Sequence, residues 1–190
     1  MSTTTSTTPA STSTGTYTID PTHSRIGFVA RHAMVTKVRG SFNEFEGSGH
    51  FDAEDPTRSS LQLTIQVASI DTRNADRDGH LRANDFFDME AFPEITFAST
   101  AVEQVDPVSF RVTGDLTIKG TTKPVTFDLE YTGTARDPFG NTRLGLEGAT
   151  VVNRKDFGVS WNAALETGGV LVSDKVTLEF EVSAIRTDES

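Results

Sequence analysis

The densest group of side chains that could do chemistry lies between Ser69 and Asp88. Arginines and aspartates crowd together there, and a guanidinium can fork to the phosphate or carboxylate of a ligand. A solvated loop would explain such a charge run equally well, but Leu81, Phe86 and Phe87 need burial and should pull the segment onto the fold. We expect a lid whose polar first half is a candidate head-group site, formed by Arg73, Asn74, Arg77 and His80.

Catalytic and metal chemistry receive little support from the remaining residues. The sequence has no cysteine, which excludes thiol nucleophiles and thiolate metal sites. His23 and Ser24 are neighbours, and neighbouring residues of a strand point to opposite faces. The histidines show none of the short spacings of a metal site. These four histidines are His23, His32, His50 and His80. We therefore predict no catalytic residue, no metal site and no cofactor for the protein.

The elements that must position the lid are strands. Most of the chain alternates apolar and polar residues, most cleanly over Leu61 to Val67. Eight or nine such segments with short turns predict an all-β, lipocalin-like antiparallel eight-stranded β-barrel, because closure removes exposed edges. The apolar residues fall on even-numbered positions up to Phe42 and on odd-numbered positions from Phe45. This change predicts a bulge or sharp coil between the two residues. A short helical insertion is expected around residues 74–88, with turns over Ala75 to Arg82 and a second helix from Asn84 or Asp85.

An eight-stranded barrel can be filled by side chains or can hold one small ligand. Glycines on the inward parity either leave room for a ligand or let strands coil. The inward-facing glycines are Gly40, Gly114, Gly133 and Gly148. Because there are four of them, we expect a cavity. The predicted wall residues are Phe28, Phe42, Phe45, Phe97, Phe110, Phe127, Leu146, Trp161 and Phe180, with Phe86 and Phe87 at the mouth.

Composition limits the partners. The formal charge of −10 argues against nucleic acid and against docking on anionic lipid. No apolar run reaches the ~18 residues that a spanning helix needs. The Ser/Thr-rich start has no signal-peptide features, so we expect a disordered tail over residues 1–15 and a cytoplasmic location. The barrel domain should cover residues 16–186, followed by a short tail over 187–190.

Several motifs resemble the YceI family, in order along residues 16–186. One is R-D-G-H-L-R-A-N-D-F-F-D within the lid, and another is N-R-K-D-F-G near the C-terminal strand. The resemblance implies a lipocalin-like barrel with an elongated apolar cavity that binds a polyisoprenoid or similar long-chain amphiphile, and it suggests a homodimer. The matching segments are Tyr17 to Phe28, Val38 to Gly47, Arg77 to Asp88, Phe92 to Thr100, Gly114 to Val125 and Asn153 to Gly158.

Three functions remain open on the sequence. The first is binding, storage or transport of a long-chain amphiphilic lipid. The second is an isomerase or cyclase acting on such a lipid, in which His80 with Asp78 or His23 would exchange protons. The third is a solid barrel that serves as a structural or interaction module.

Overall fold

A computed structural model describes residues 13–166 and 169–188. Residues 1–12 of the predicted N-terminal tail lie outside the described part of the chain. The described part contains eleven strands and one α-helix. The helix α1 is Ala75–Arg82, and the strands β1 to β11 are Gly15–Ile19, Arg25–His32, Thr36–Phe42, Phe45–Phe51, Ser60–Gln66, Ile70–Asp71, Glu94–Gln104, Ser109–Ile118, Thr121–Arg136, Thr142–Asn153 and Lys175–Arg186.

The strands close into an eight-walled antiparallel barrel. Three walls are each built from two consecutive strands: β1 with β2, β3 with β4, and β5 with β6. Strand β11 closes the barrel because it pairs with β1 at Thr18 to Ile185 and with β2 at Phe28 to Leu178. The predicted all-β barrel with one short helix is confirmed.

The break between β3 and β4 explains the change of parity in the sequence. Only Asn43 and Glu44 separate the two strands, and Phe42 and Phe45 on either side are both buried. The backbone N–H of Asn43 donates to Ser69 O at 3.1 Å, and Glu44 O accepts from the backbone of Gln66 at 3.0 Å. The coil therefore keeps its polar groups paired while two aromatic rings of opposite parity both reach the interior.

One end of the barrel, which we call the lid end, carries the β2–β3 hairpin, α1 with its following turns, and residues 154–166 and 169–174. The Nζ of Lys119, at the β8–β9 turn, donates to Asn84 O at 2.9 Å and reaches Gly158 O at 3.4 Å. That ammonium joins the lid to the segment after β10. The turns at residues 52–59, 105–108 and 137–141 lie at the opposite end, which we call the far end.

Asn74 caps the N-terminus of helix α1, and its side chain accepts from the Arg77 backbone N–H at 3.0 Å. The C-cap is Ala83, whose backbone is extended. The prediction of a second helix from Asn84 or Asp85 is wrong, because residues 83–91 form turns instead. Asp88 has a left-handed backbone (φ 50°) and its N–H bonds back to Ala83 O, which breaks helical continuity.

No helix in the described part of the chain is long and apolar enough to cross a membrane.

Candidate functional site

The barrel encloses a cavity of about 290 Å³ that runs between its two ends. At the far end it is lined by Tyr17, Phe51 and Tyr131, and at the lid end by Phe87 and Val172. The lining comes from every wall because the inward-pointing residues of each strand are apolar. Ligand pockets usually enclose about 300–1,000 Å³, so the space suits one slender molecule.

Most of the predicted wall residues do line this cavity. Three of their rings pack in a row, with centroids 5.4 Å apart between Phe97 and Phe127 and 5.2 Å apart between Phe127 and Phe180. That row gives one side of the cavity a rigid aromatic surface. The predicted residues in the lining are Phe28, Phe42, Phe97, Phe110, Phe127, Leu146 and Phe180, with Phe86 and Phe87 on the lid.

Phe45 and Trp161 lie elsewhere. Phe45 is buried beside a small polar pocket at the β1–β2 junction, which Ser24 and Arg25 also line. Trp161 packs behind Phe86, with 5.3 Å between the ring centroids. Neither residue is part of the cavity lining, so contact of either with a ligand stays a prediction.

The inward glycines leave less room than the sequence suggested. A Cβ on Gly40 would strike the ring of Phe28, and one on Gly114 would strike the ring of Phe97. A Cβ on Gly148 would lie 2.7 Å from Asp128 O. The absent side chains therefore make space for neighbouring rings and backbone. Gly133 instead serves a bulge in β9, where φ is +141° and the register to β10 shifts.

The two tyrosines at the far end of the cavity have hydroxyl groups that are paired within the chain. The Tyr17 hydroxyl donates to Ser13 O at 2.6 Å, and the Tyr131 hydroxyl bonds to the Thr134 hydroxyl. Both phenol rings line the cavity, but their hydroxyls are held by the chain itself. The two tyrosines therefore present aromatic surface to the cavity, with their hydroxyls already paired.

The predicted head-group residues at the start of the lid lie outside the cavity. Arg73 is exposed with a left-handed backbone (φ 65°), and Asn74 is the helix cap. Arg77 folds back on Thr72, with Nε 2.8 Å from Oγ1 and Nη2 2.7 Å from the carbonyl oxygen. These contacts shape the lid internally, and binding of a head group by the three residues stays a prediction.

His80 occupies the underside of the lid without lining the cavity. Its Nε2 lies 2.8 Å from Asp85 Oδ2, and its ring meets those of Trp161 and Phe86 edge-on at 4.7 and 5.0 Å. Asp78 is buried and accepts instead from the backbone and hydroxyl of Thr72. The acid–base pair considered for an enzyme, His80 with Asp78, is therefore not assembled.

His23 does not meet His80 either. It lies on the barrel exterior, where Nδ1 is 2.7 Å from Asp20 Oδ2. No group of three or more His, Cys, Asp or Glu side chains suited to a metal ion occurs among residues 13–166 and 169–188.

Arg154 is the residue that the sequence analysis missed. It is buried, lines the lid end of the cavity, and no other Lys or Arg in the described chain does so. Nη1 donates to Val159 O at 2.7 Å and to Trp161 O at 2.9 Å. Nε donates to Ser173 O at 2.8 Å, and Nη2 reaches Val172 O at 3.3 Å. One side chain thus fixes both ends of the 159–173 loop.

Burial lowers the pKa of the Arg154 guanidinium, and the charge of Asp174 acts in the opposite direction. The nearest Asp174 oxygen is 3.9 Å away, too far for a hydrogen bond. The cation is therefore held by carbonyl dipoles. The sequence contained a signal for this position. The even-numbered residues of β10 from Leu144 to Val152 point inward, and Arg154 is the next even-numbered residue.

The family-model comparison identifies a YceI-like domain over residues 17–184. A UPF0312 protein of Staphylococcus aureus (strain MSSA476) is 39% identical over 169 residues, which cover 88% of this chain and 95% of that protein. The crystal structure of Burkholderia cenocepacia BcnA superposes with a TM-score of 0.77 at 27% identity, covering 87% of this chain and 98% of that one.

A third similar structure is a polyisoprenoid binding domain from Saccharophagus degradans implicated in plant cell wall breakdown. Its TM-score is 0.67 over 90% of this chain and 98% of that chain, and at 16% identity the likeness is one of fold. The sequence motifs, the eight-walled barrel and the family match agree with one another. The chain therefore belongs to the family of YceI-like domains.

Proposed function

We propose that the protein binds a long-chain amphiphilic lipid, a polyisoprenoid or a molecule of similar shape, and stores or transports it in the barrel. The observation that carries the proposal is the apolar cavity, which extends from Tyr17 and Tyr131 at the far end to Phe87 at the lid end. A linear apolar chain fits such a space better than a compact polar metabolite, because the lining offers few polar partners.

The length of the cavity matters energetically. Each buried CH₂ contributes about 0.8 kcal/mol, so one five-carbon isoprene unit contributes roughly 4 kcal/mol. Association and ordering cost about 4–15 kcal/mol. Several units must therefore be enclosed before binding is tight, and a cavity lined from Tyr17 at the far end to Phe87 at the lid end supports this mode of binding.

The polar end of the ligand belongs at the lid end in this proposal. At the far end the hydroxyls of Tyr17 and Tyr131 already have partners within the chain. At the lid end Arg154 brings a positive charge to the cavity lining, and no carboxylate bonds to it within 3.5 Å in the described chain. A hydroxyl, carbonyl or anionic oxygen of the ligand would be stabilised there.

The similarity to a polyisoprenoid binding domain supports this ligand class, and the cavity lining supports it independently. An enzymatic role draws less support, since His80 and Asp78 take separate partners. A homodimer stays a prediction from the family resemblance.

Two adjacent valines of β10 give a matched test. Val152 lines the cavity, whereas Val151 is 58% exposed on the outer face. Calorimetric titration of delipidated protein with a polyprenyl alcohol should show saturable binding that Val152→Phe weakens at least tenfold and Val151→Phe leaves unchanged. Equal binding by the two variants, or no saturable binding by the unmodified protein, would refute the proposal.

A further inference from the structure

The β2–β3 hairpin carries an unusual apolar tip at the lid end. Met34 and Val35 are 64% and 74% exposed, although both side chains are large and apolar. Ala33 and Met34 have left-handed backbones, with φ of 51° and 64°. Non-glycine residues adopt this region at a cost, so the turn that displays the two side chains is maintained against strain.

The tip contacts its surroundings through hydrogen bonds and one packed side chain. Arg31 Nη1 donates to Val35 O at 3.0 Å, and the Ala33 N–H donates to Leu171 O at 2.8 Å. The Met34 sulfur lies against Gly169, where a Cβ would strike it. The next residue, Val170, is itself 40% exposed. We call Met34, Val35 and Val170 the tip patch.

Cations of the β2–β3 hairpin flank the tip patch in an otherwise acidic protein. Residues 26–43 hold three of the 17 Lys and Arg side chains of the chain and none of its 27 Asp and Glu. Arg31 and Lys37 are exposed and flank the tip, and within the described chain neither has a carboxylate within 4.0 Å. Arg39, further along β3, approaches Glu179 only at 3.9 Å. The hairpin therefore presents uncompensated positive charge beside exposed apolar groups.

The tip patch is also close to the cavity. His32 bridges to Val172, and Val172 lines the cavity together with Ala30. Beside the tip, β3 pairs with β6 only at Ser41 and Phe42, so residues 36–40 of the wall have no strand partner on that side within the described chain. A surface that contacted the tip would therefore lie against a part of the wall that lacks a strand partner on one side.

We propose that the tip patch and the cations around it dock the protein on an anionic phospholipid bilayer. Apolar side chains entering the interface and cations attracted to anionic head groups provide the two signals that reversible membrane attachment needs. The net charge of −10 suggested the opposite, but salt screens charges beyond about 10 Å, so the local sign governs contact. Docking does not depend on what the cavity holds.

Vesicle flotation of the full chain tests this proposal. The protein should float with vesicles of phosphatidylcholine and phosphatidylglycerol at low salt, and much less with phosphatidylcholine alone or at high salt. Met34→Ser combined with Val35→Ser should weaken partition on the order of tenfold or more. Lys37→Gln should weaken it about fivefold, as expected for one cation near an anionic surface.

The controls change similar groups away from the hairpin. Phe139, 87% exposed at the far end, and Lys123, exposed on β9, should tolerate Phe139→Ser and Lys123→Gln without loss of partition. Circular dichroism would confirm that every variant is folded. The proposal is overturned by equal partition of tip and control variants, by no flotation at all, or by sedimentation showing that the tip patch joins two copies of this chain instead.

Discussion

Nη1 of Arg154 lies 2.7 Å from the carbonyl oxygen of Val159, inside the lid end of the barrel. The same guanidinium bonds to the carbonyl oxygens of Trp161 and Ser173, so one buried cation joins residues 159–161 to residue 173 beside the cavity. Val159 and Val172 on that loop both line the cavity. Loop position and cavity shape are therefore coupled through one side chain.

Replacing Arg154 should destabilise the protein strongly. Arg154→Met leaves several buried carbonyl oxygens without donors, and each such group costs about 1–3 kcal/mol. We expect a loss of roughly 3 kcal/mol or more in the free energy of unfolding, measured by urea denaturation. Arg154→Lys should recover little, because one ammonium cannot reproduce the fork of the guanidinium. The neighbouring Lys155→Met, which removes a half-exposed ion pair to Asp174, should cost less than about 1 kcal/mol. Similar losses for Arg154→Met and Lys155→Met would contradict this role.

The inward glycines should differ in how their substitution can be rescued. Gly40→Ala places a methyl group into the Phe28 ring, and only ring atoms are its nearest neighbours. We expect Gly40→Ala to lower the free energy of unfolding by about 1–3 kcal/mol. In a double-mutant cycle, Phe28→Leu should restore part of this stability. At Gly114 the methyl also meets Ala98 O at 2.6 Å, so Phe97→Leu should restore less. Equal rescue at both positions would show that backbone contact does not matter.

Substitution of Gly79 should instead raise the free energy of unfolding. This glycine lies inside α1, and a Cβ there would meet no atom within 4 Å apart from the backbone of its own helix and its chain neighbours. Gly79→Ala should therefore raise the free energy of unfolding by about 0.5–1 kcal/mol, because glycine loses more backbone freedom in a helix. Thermal denaturation would measure the gain. A loss would mean that α1 needs the flexibility of glycine.

The ion pairs of Arg143 should make the stability of the protein depend on pH in the acid range. Its Nε lies 2.8 Å from Asp137 Oδ2 and its Nη1 lies 2.8 Å from Asp20 Oδ2. Arg143 lowers the pKa of Asp137 to about 2 and holds that of Asp20 well below its usual range. Because the pKa is lower in the folded state, the stabilisation is complete above the unfolded value of about 3.9 and is lost as pH falls through about 2.

Arg143→Met should accordingly unfold at lower urea concentration than the unmodified protein near neutral pH. The gap between the two midpoints should narrow as pH falls from about 4 towards 2, where the carboxyls gain protons in the unmodified protein too. A gap that stays constant over this range would show that Arg143 acts through packing alone.

The sequence predicted the barrel because alternate residues of a strand point to the same face. The apolar residues of each strand, among them Phe97, Phe127 and Phe180, were therefore expected to face a common interior. It also located the coil between Phe42 and Phe45. It misjudged Gly40, since parity alone cannot show that the Phe28 ring on the next strand takes up the missing volume. The density of charged residues in the sequence led to the prediction of Arg77 as a site residue, but its hydrogen bonds stay within its own loop. Arg154 was not predicted, because its hydrogen-bond partners lie up to 19 residues away in the sequence.

The most direct test is to extract purified full-length protein with organic solvent and identify the extract by mass spectrometry. We predict recovery of a long-chain amphiphile in near-stoichiometric amount, retained in Val151→Phe and lost from Val152→Phe, because only Val152 lines the cavity. Recovery of no lipid, together with no saturable uptake of an added polyprenyl alcohol, would contradict the account.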